Sequence, residues 1–321
     1  MKLAVIGGGV MGANHARVAN AHPTIELTTI VDQDDERSHR LAESTGSQAF
    51  ADVDAALAAR TRGQVEFEAA VVAVPTIAHL PVTRALLDAG VHVLVEKPLA
   101  GTIDEAATLV DLAARSGRVV MVGHIERFNS AVAETARLSK DPIEIEATRV
   151  GPFSARIADS VVLDLMIHDL DIARWLSGGS TLARVQAVAH RRRTTTEDLA
   201  VALIEFENGV TATLRASRLG QQKIRNLVVT LDDAVITSDL IRQDVAITRV
   251  QHTEFLSESG SRYRQTGMVE VPFLENRGEP LAVELSEFNR SIAEGRAPLV
   301  TVEDGYEAVV MAHRVLAVLR R

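Results

Sequence analysis

Residues 3–12 read Leu3-Ala4-Val5-Ile6-Gly7-Gly8-Gly9-Val10-Met11-Gly12. An apolar run, three consecutive glycines and a fourth at the start of a helical pattern through Ala19 spell strand, tight turn and helix. In the spacing Gly7-x-Gly9-x-x-Gly12, Gly7 permits the turn, Gly9 lets the backbone approach a ligand, and Gly12 lets helix and strand pack closely. The helix N-terminus then presents unpaired N–H groups to an anion. Apolar runs at 27–31, 70–74 and 91–95, separated by helical patterns such as 82–89, repeat the theme. The first third therefore reads as βαβ units carrying a parallel sheet. A helix over 102–115, ended by Gly117, leads to a last strand at 119–122, and the boundary between a first domain (1–122) and a second (123–321) is placed there.

Beyond residue 122 the pattern changes to period two, at 143–150, 185–189, 200–206 and 210–216. The last two runs flank Asn208-Gly209, which predicts a type I′ hairpin. Helices are expected over 161–176, 281–293 and 302–319. The fold class is α/β: an N-terminal doubly wound parallel sheet of the Rossmann type, then an α+β domain with a large open, mainly antiparallel sheet. The C-terminal helix is expected to return to the first domain, and the open sheet face suits a homodimer or homotetramer.

Composition sets outer limits. With 321 residues, 46% hydrophobic and 3% aromatic, the chain is globular and of a size at which one core commonly splits into two. A net charge of −9 disfavours nucleic acid as a partner. The absence of cysteine excludes disulfides, thiolate nucleophiles and Cys-ligated zinc. No segment approaches the apolar length that crosses a bilayer, so a soluble cytoplasmic protein without membrane partners is expected.

Asp32 ends the strand 27–31 and lies 20 residues beyond Gly12, where a carboxylate hydrogen-bonds both ribose hydroxyls of a dinucleotide. Gly7, Gly9, Val10, Met11, Gly12 and Asp32 thus predict an NAD site. NADP is disfavoured, because its 2′-phosphate would meet Asp32 with Asp34, Asp35 and Glu36 following and Arg37 as the one nearby cation. The competing reading is a structural glycine turn with Asp32 as a helix cap.

Further on come Val74-Pro75-Thr76, His79 and the stretch 89–99 containing Glu96-Lys97-Pro98. With the glycine motif, these resemble the Gfo/Idh/MocA family of nicotinamide-dependent sugar and cyclitol oxidoreductases. The resemblance covers the whole chain, continuing through Gly123-His124-x-x-Arg127-Phe128-Asn129 and Asp164-x-x-x-His168-x-x-Asp171. It implies that Lys97, Asp164 and His168 form the catalytic group and that no metal is required. It adds Val74, Pro75, His79, Glu96 and Lys97 to the cofactor contacts and puts His124, Arg127, Asn129, Arg156 and Asp171 at the substrate. The motifs around His124 and His168 are most similar to the branch that oxidises the 3-hydroxyl of UDP-N-acetylglucosamine or related UDP-sugars. Residues 158–163 depart from the family's usual glycines, which weakens the transfer of substrate detail.

Physical chemistry supports parts of this independently. Lys97 lies just past the carboxyl end of a parallel strand, where open α/β sheets bind ligands. Close to an oxidised nicotinamide and partly desolvated, its ammonium is disfavoured, so it is expected to exchange protons near neutral pH. The alternative is a solvated lysine paired with Glu96. On an α-helix Asp164, His168 and Asp171 share one face, while Leu165, Ile172 and Leu176 form a stripe for the core. His168 is the preferred general base, with Lys97 through a relay as the other proton acceptor. A metal site and a plainly solvated helix face are the competing readings of those three residues.

For a diphosphate-linked sugar, Arg127 and Arg156 supply forked cations, whereas Arg191-Arg192-Arg193 reads as a solvated turn. Trp175 is assigned to the core, and His15, His22, His39 and His92 carry no usable pattern. Two functions compete with a UDP-sugar dehydrogenase: an inositol or simple-sugar dehydrogenase, and a non-catalytic nicotinamide-binding regulator.

Overall fold

The structure is a computed structural model that describes residues 1–154, 159–250, 253–256, 262–265, 267–274 and 277–320. The chain forms two compact units, Met1–Phe128 with Gly278–His313, and Asn129–Arg277 with Arg314–Arg321.

In the first unit, β1 (Lys2–Ile6), β2 (Glu26–Val31), β3 (Gln48–Phe50), β4 (Ala69–Val72), β5 (His92–Glu96) and β6 (Val120–Gly123) make a parallel sheet in the order β3-β2-β1-β4-β5-β6. The order reverses at β1, so the switch point where such sheets bind ligands lies between β1 and β4. Helices α1 (Val10–Ala21), α2 (Asp35–Thr45), α3 (Val53–Thr61), α4 (His79–Asp88) and α5 (Ile103–Ser116) connect the strands. Residues 3–6, 69–72 and 93–95 are buried without alternation, as expected for strands covered on both faces. Side chains of Asp34, Asp52 and Thr102 accept backbone N–H bonds at the starts of α2, α3 and α5. β4 stops at Val72, two residues before the expected end at 74.

In the second unit, α6 (Ser130–Leu138) precedes β7 (Glu144–Val150), and the segment read as one α-helix over 161–176 is two pieces: a π-helical turn at Val162–Met166, then α7 (Ile167–Leu176). The remaining strands are β8 (Leu182–His190), β9 (Leu199–Phe206), β10 (Thr211–Ser217), β11 (Ile224–Thr230), β12 (Val235–Asp239), β13 (Asp244–Arg249), β14 (Thr253–Leu256), β15 (Arg262–Gln265) and β16 (Met268–Glu270). β7 and seven of these strands form one sheet, β16-β13-β12-β11-β7-β10-β9-β8, antiparallel except for β7 beside β10. β14 and β15 pair separately. Alternate residues Ala200, Ala202, Ile204 and Phe206 of β9 are buried, with α7 packed on β7 and β10, and α6 on β12 and β13. On the other face Val188 is 64% exposed and Leu203 50%.

Two expectations are corrected here. The β9–β10 connection is a three-residue loop over 207–209 in which only Gly209 has positive φ (+86°), so the turn is not type I′, which needs two such residues. Trp175 is half-buried, not core. The first unit extends past residue 122 to Phe128 and also takes up 278–313, which holds α8 (Pro280–Glu294) and α9 (Val302–Leu319) through His313. Leu281, Leu285, Phe288, Val300, Val302 and Val309 join its core. No helix among the described residues is long and apolar enough to cross a membrane.

Candidate active site

The glycine turn is built as its spacing demands. Gly7 has φ +98°, and a Cβ there would stand 2.5 Å from the Ala73 carbonyl oxygen; a Cβ on Gly12 would stand 1.6 Å from the Gly7 carbonyl oxygen. A Cβ on Gly9 would meet nothing within 4 Å. Two glycines are therefore fixed by the protein's own packing, while the third leaves space where α1 begins without a side-chain cap. That open, uncapped N-terminus fits a pyrophosphate. Val10 is exposed and Met11 half-buried beside it.

Asp32 reaches back to this turn. Its Oδ2 accepts the Gly8 N–H at 2.6 Å and its Oδ1 the Asp34 N–H at 2.8 Å. Arg37 Nη1 lies 3.3 Å from Oδ2, and Arg37 Nη2 donates to Asp34 at 2.9 Å. A cavity of 780 Å³ lined by Met1, Lys2, Glu26, Glu66 and Phe67 among others opens at the amino ends of the strands, opposite to the glycine turn.

His79 and Glu96, expected at the cofactor, are buried and bonded within the protein. The His79 Nε2 faces the Val74 carbonyl at 3.0 Å and its Nδ1 the Pro98 carbonyl at 3.0 Å, so the ring joins the loops after β4 and β5. Burial pulls its pKa below the ordinary imidazole range, against the bonds to the Val74, Leu99 and Pro98 carbonyls. Pro75 precedes a short helical turn (Thr76–Ala78) on that loop. Glu96, the last residue of β5, accepts from His15 Nε2 at 2.7 Å, and its Oε2 lies 3.3 Å from the Lys97 N–H. Burial raises its proton affinity, but the His15 bond and the Lys97 charge outweigh that and hold the carboxyl below its usual range. Lys97 follows, half-buried, joined by a cis bond to Pro98.

His15 was invisible as a site residue in the sequence. The missed signal is its position three residues past Gly12, on the buried face of α1 with Ala16 and Ala19. Glu284 was missed too; it interrupts the apolar stripe Leu281-Leu285-Phe288 of α8 and is fully buried.

Two residues assigned to substrate make contacts within the protein. Arg127 is 3% exposed and pairs with Asp304 at 3.1 Å. Its guanidinium thus serves the fold of the first unit. Asn129 caps α6, accepting the Ala131 N–H at 3.0 Å and donating to the Leu240 carbonyl at 2.8 Å. Asp171 is buried. His124, also buried, opens the turn Ile125–Phe128. Arg156 lies outside the described residues.

Asp164 sits in the π turn and His168 in α7, both half-buried. Asp164 thus lies in a turn with i→i+5 bonding where a uniform α-helix was expected. Leu165 is likewise only half-buried, whereas Ile172 and Leu176 are core. Arg218, 4% exposed, donates to the Asp159 carbonyl at 2.5 Å and lies 3.9 Å from Asp164 Oδ2. The next turn is fixed by Arg149, whose Nη2 donates to Asp169 at 2.8 Å in a buried bidentate pair. The arginine run is a turn: the Arg192 and Arg193 N–H groups each donate to Asp198 at 2.6 Å, and Arg191 pairs with Glu197 at 2.6 Å. Among the described residues no cluster of His, Asp or Glu is arranged to hold a metal.

A doubly wound sheet with a glycine turn at its switch point, a carboxylate at the end of β2 and a lysine at the end of β5 define a dinucleotide-binding oxidoreductase. Residues 1–124 match the oxidoreductase family with an NAD-binding Rossmann fold, and residues 133–237 match the GFO/IDH/MocA C-terminal domain. The chain belongs to the GFO/IDH/MocA family, and is a dehydrogenase acting on CH–OH groups. It is 33% identical over 249 residues to UDP-N-acetylglucosamine 3-dehydrogenase of Acidithiobacillus ferrooxidans, covering 77% of this chain and 76% of that one. A solved structure of that enzyme superposes with a TM-score of 0.88, 30% identity and coverage of 99% and 97%. The scyllo-inositol 2-dehydrogenase (NAD(+)) of Bacillus subtilis is 25% identical, covering 94% of this chain and 89% of its own. Levoglucosan dehydrogenase in complex with NADH and levoglucosan shares the fold at a TM-score of 0.83 and 20% identity.

Proposed function

We propose that this chain is an NAD-dependent dehydrogenase that oxidises a secondary ring hydroxyl of a sugar, the 3-hydroxyl of a UDP-sugar such as UDP-N-acetylglucosamine. The observation that carries this reading is the 33% identity to an enzyme of that name, extending through both units. When bound, the dinucleotide supplies the hydride acceptor. Gly7, Gly9, Val10, Met11 and Gly12 receive its pyrophosphate and Asp32 its ribose, with Val74 and Pro75 lining the loop after β4. His168 in the second unit takes the hydroxyl proton, with Lys97 in the first, through a relay, as the alternative acceptor, and Asp164 offsets the positive charge that results. His124, Asp171 and Arg156 are assigned to the sugar nucleotide.

The choice of NAD over NADP rests on Asp32. Its carboxylate already accepts two backbone N–H bonds and stands against the single local cation, Arg37, which it shares with Asp34. A 2′-phosphate brought there would meet anions with no unshared guanidinium. The 94% coverage by the scyllo-inositol enzyme supports cyclitol oxidation as a second reading. We assign the exposed apolar face of β8 and β9 to a homodimer or homotetramer and the cysteine-free chain to the cytoplasm.

One experiment separates the substrates. Purified protein is incubated with NAD or NADP and a panel of UDP-sugars, free sugars and inositols, and NADH absorbance is followed. Turnover with UDP-N-acetylglucosamine and NAD supports the reading; turnover with inositols alone replaces it. Tight NADH binding without turnover of any member reduces the chain to a nicotinamide-binding regulator.

A further inference from the structure

The end of the second unit's sheet that carries Asp164 also carries cations that the proposed chemistry does not use. β7 and β10 finish there side by side, with the Gly151 N–H donating to the Ser217 carbonyl at 2.9 Å, and residues 191–198 connect β8 to β9. Short links join that turn to Asp164. Arg218, 3.9 Å from Asp164 Oδ2, donates its backbone N–H to the Asp198 carbonyl at 2.9 Å. The Val161 N–H, at the entrance to the π turn, donates to the Glu197 carbonyl at 2.9 Å. Both acidic side chains of the turn are used within it. Asp198 Oδ2 accepts the N–H groups of Arg192 and Arg193 at 2.6 Å and of Thr194 at 3.1 Å, and its Oδ1 accepts the Thr194 hydroxyl at 2.9 Å. Glu197 is taken by Arg191.

What remains is a pair of uncompensated guanidinium groups. The Arg192 and Arg193 side chains are exposed, and among the described residues neither is paired with a carboxylate. Arg193 stands over the Phe153 ring, its guanidinium carbon 5.8 Å from the centroid. That ring, three residues past the end of β7, is 38% exposed. On a chain of net charge −9 this is a local reversal of sign. Because Asp198 already fixes the backbone of the turn, a ligand there has only side chains to order. Planar guanidinium forks match phosphate oxygens, and an open aromatic ring takes the face of a nucleobase. We infer that Arg192, Arg193 and Phe153 form a receptor for a nucleoside diphosphate, the arginines holding its phosphates and Phe153 its base. The inference rests on the reading of the substrate as a nucleotide-linked sugar and gives that reading its specificity determinant. A cyclitol, with neither phosphate nor base, would find nothing to hold it at this turn.

Calorimetric titration of the full-length protein with uridine diphosphate tests the receptor without turnover. Arg192→Ala and Arg193→Ala should each weaken binding about ten- to a hundredfold. Phe153→Ala should weaken it about tenfold. Arg193→Lys, which keeps the charge and loses the fork, should recover only part of the loss. Arg184, exposed at the opposite end of the same sheet beside Glu205, is the control, and Arg184→Ala should bind as wild type does. Wild-type protein that does not bind uridine diphosphate overturns the inference, as does undiminished binding by both arginine-to-alanine variants. Equal weakening in Arg184→Ala would mark a diffuse charge effect and overturns it too. NADH affinity should be unchanged in every variant; a loss there in place of uridine diphosphate affinity would give the turn to the cofactor and reject the receptor. With UDP-N-acetylglucosamine and NAD, the arginine variants should raise KM with kcat near wild type, a split that a merely structural turn would not produce. The two readings fall separately. Uridine diphosphate binding that depends on the arginines, without turnover of any UDP-sugar, keeps the receptor and removes the proposed substrate. Normal UDP-sugar kinetics in the arginine variants does the reverse.

Discussion

Gly9→Ala and Gly12→Ala differ by three residues and should fail in opposite ways. At Gly12 the added methyl would stand 1.6 Å from the Gly7 carbonyl oxygen, about half a normal contact distance, and the atom it meets is backbone. Gly7 cannot yield, because it is itself pressed against Ala73. Alanine inside a helix gains about 1 kcal/mol over glycine, whereas overpacking of this kind costs about 1–3 kcal/mol or more, so the clash wins. A net loss of roughly 1–2 kcal/mol is expected in urea unfolding of the first unit, seen as a lower midpoint at unchanged slope. At Gly9 the φ of −64° is open to any residue and the methyl meets nothing, so stability should stay within about 0.5 kcal/mol. The same methyl intrudes where a pyrophosphate is to lie, so dinucleotide affinity should fall at least about tenfold, or 1.4 kcal/mol. Fluorescence titration with NADH beside the urea curves gives both numbers. Equal stability of Gly12→Ala and wild type, or unaltered NADH binding by Gly9→Ala, would refute the division of labour among the glycines.

Other outcomes follow from the two units. Lys97→Met and His168→Ala should each lose about 10²–10⁴ in turnover with NADH affinity near wild type; near-normal turnover in either removes that residue from proton transfer. Asp169→Asn removes the carboxylate charge that the buried Arg149 guanidinium pairs with and should destabilise the second unit by about 3–5 kcal/mol, read by thermal unfolding; a change under about 1 kcal/mol would show the pair is dispensable. Asp198 has its pKa lowered to about 2, since burial, which raises it, is outweighed by the N–H bonds from Arg193, Arg192 and Thr194. A depressed folded-state pKa stabilises above the unfolded value and is lost as pH falls through the folded one. The stability gap between wild type and Asp198→Asn should therefore be full at neutral pH and close as pH drops from about 4 towards 2. A gap that stays constant over that range would rule out the anion as its source.

The parallel sheet and the dinucleotide turn were legible because their signals are local: β1, the glycine spacing and Asp32 fall within one βαβ unit. The strands β11, β12 and β13 were not, since they are short, half-exposed and joined by turns that leave few apolar residues in any window. Partners were harder still. The family resemblance placed Arg127 in a functional motif, yet Asp304 stands 177 positions away; His15 and Glu96 are 81 apart. A pattern tells which face of an element is buried but not what meets it. The π turn escaped for a related reason: a reading at a uniform 3.6 residues per turn has no means of registering an extra residue.

The discontinuity of the first unit bears on how the chain is made. A ribosome adding about 5–20 residues per second needs roughly 8–30 s to proceed from Phe128 to Gly278. Throughout that interval the nascent sheet lacks Leu281, Leu285 and Phe288, whose burial stabilises it by roughly 1.5–3 kcal/mol each. The Asn129–Arg277 segment emerges in the meantime, lacking only Arg314–Arg321 of its body, so synthesis should favour its assembly ahead of the nucleotide-binding body that begins the polypeptide. An expression clone stopped at residue 128 would leave an apolar surface bare and is a poor route to an isolated dinucleotide module.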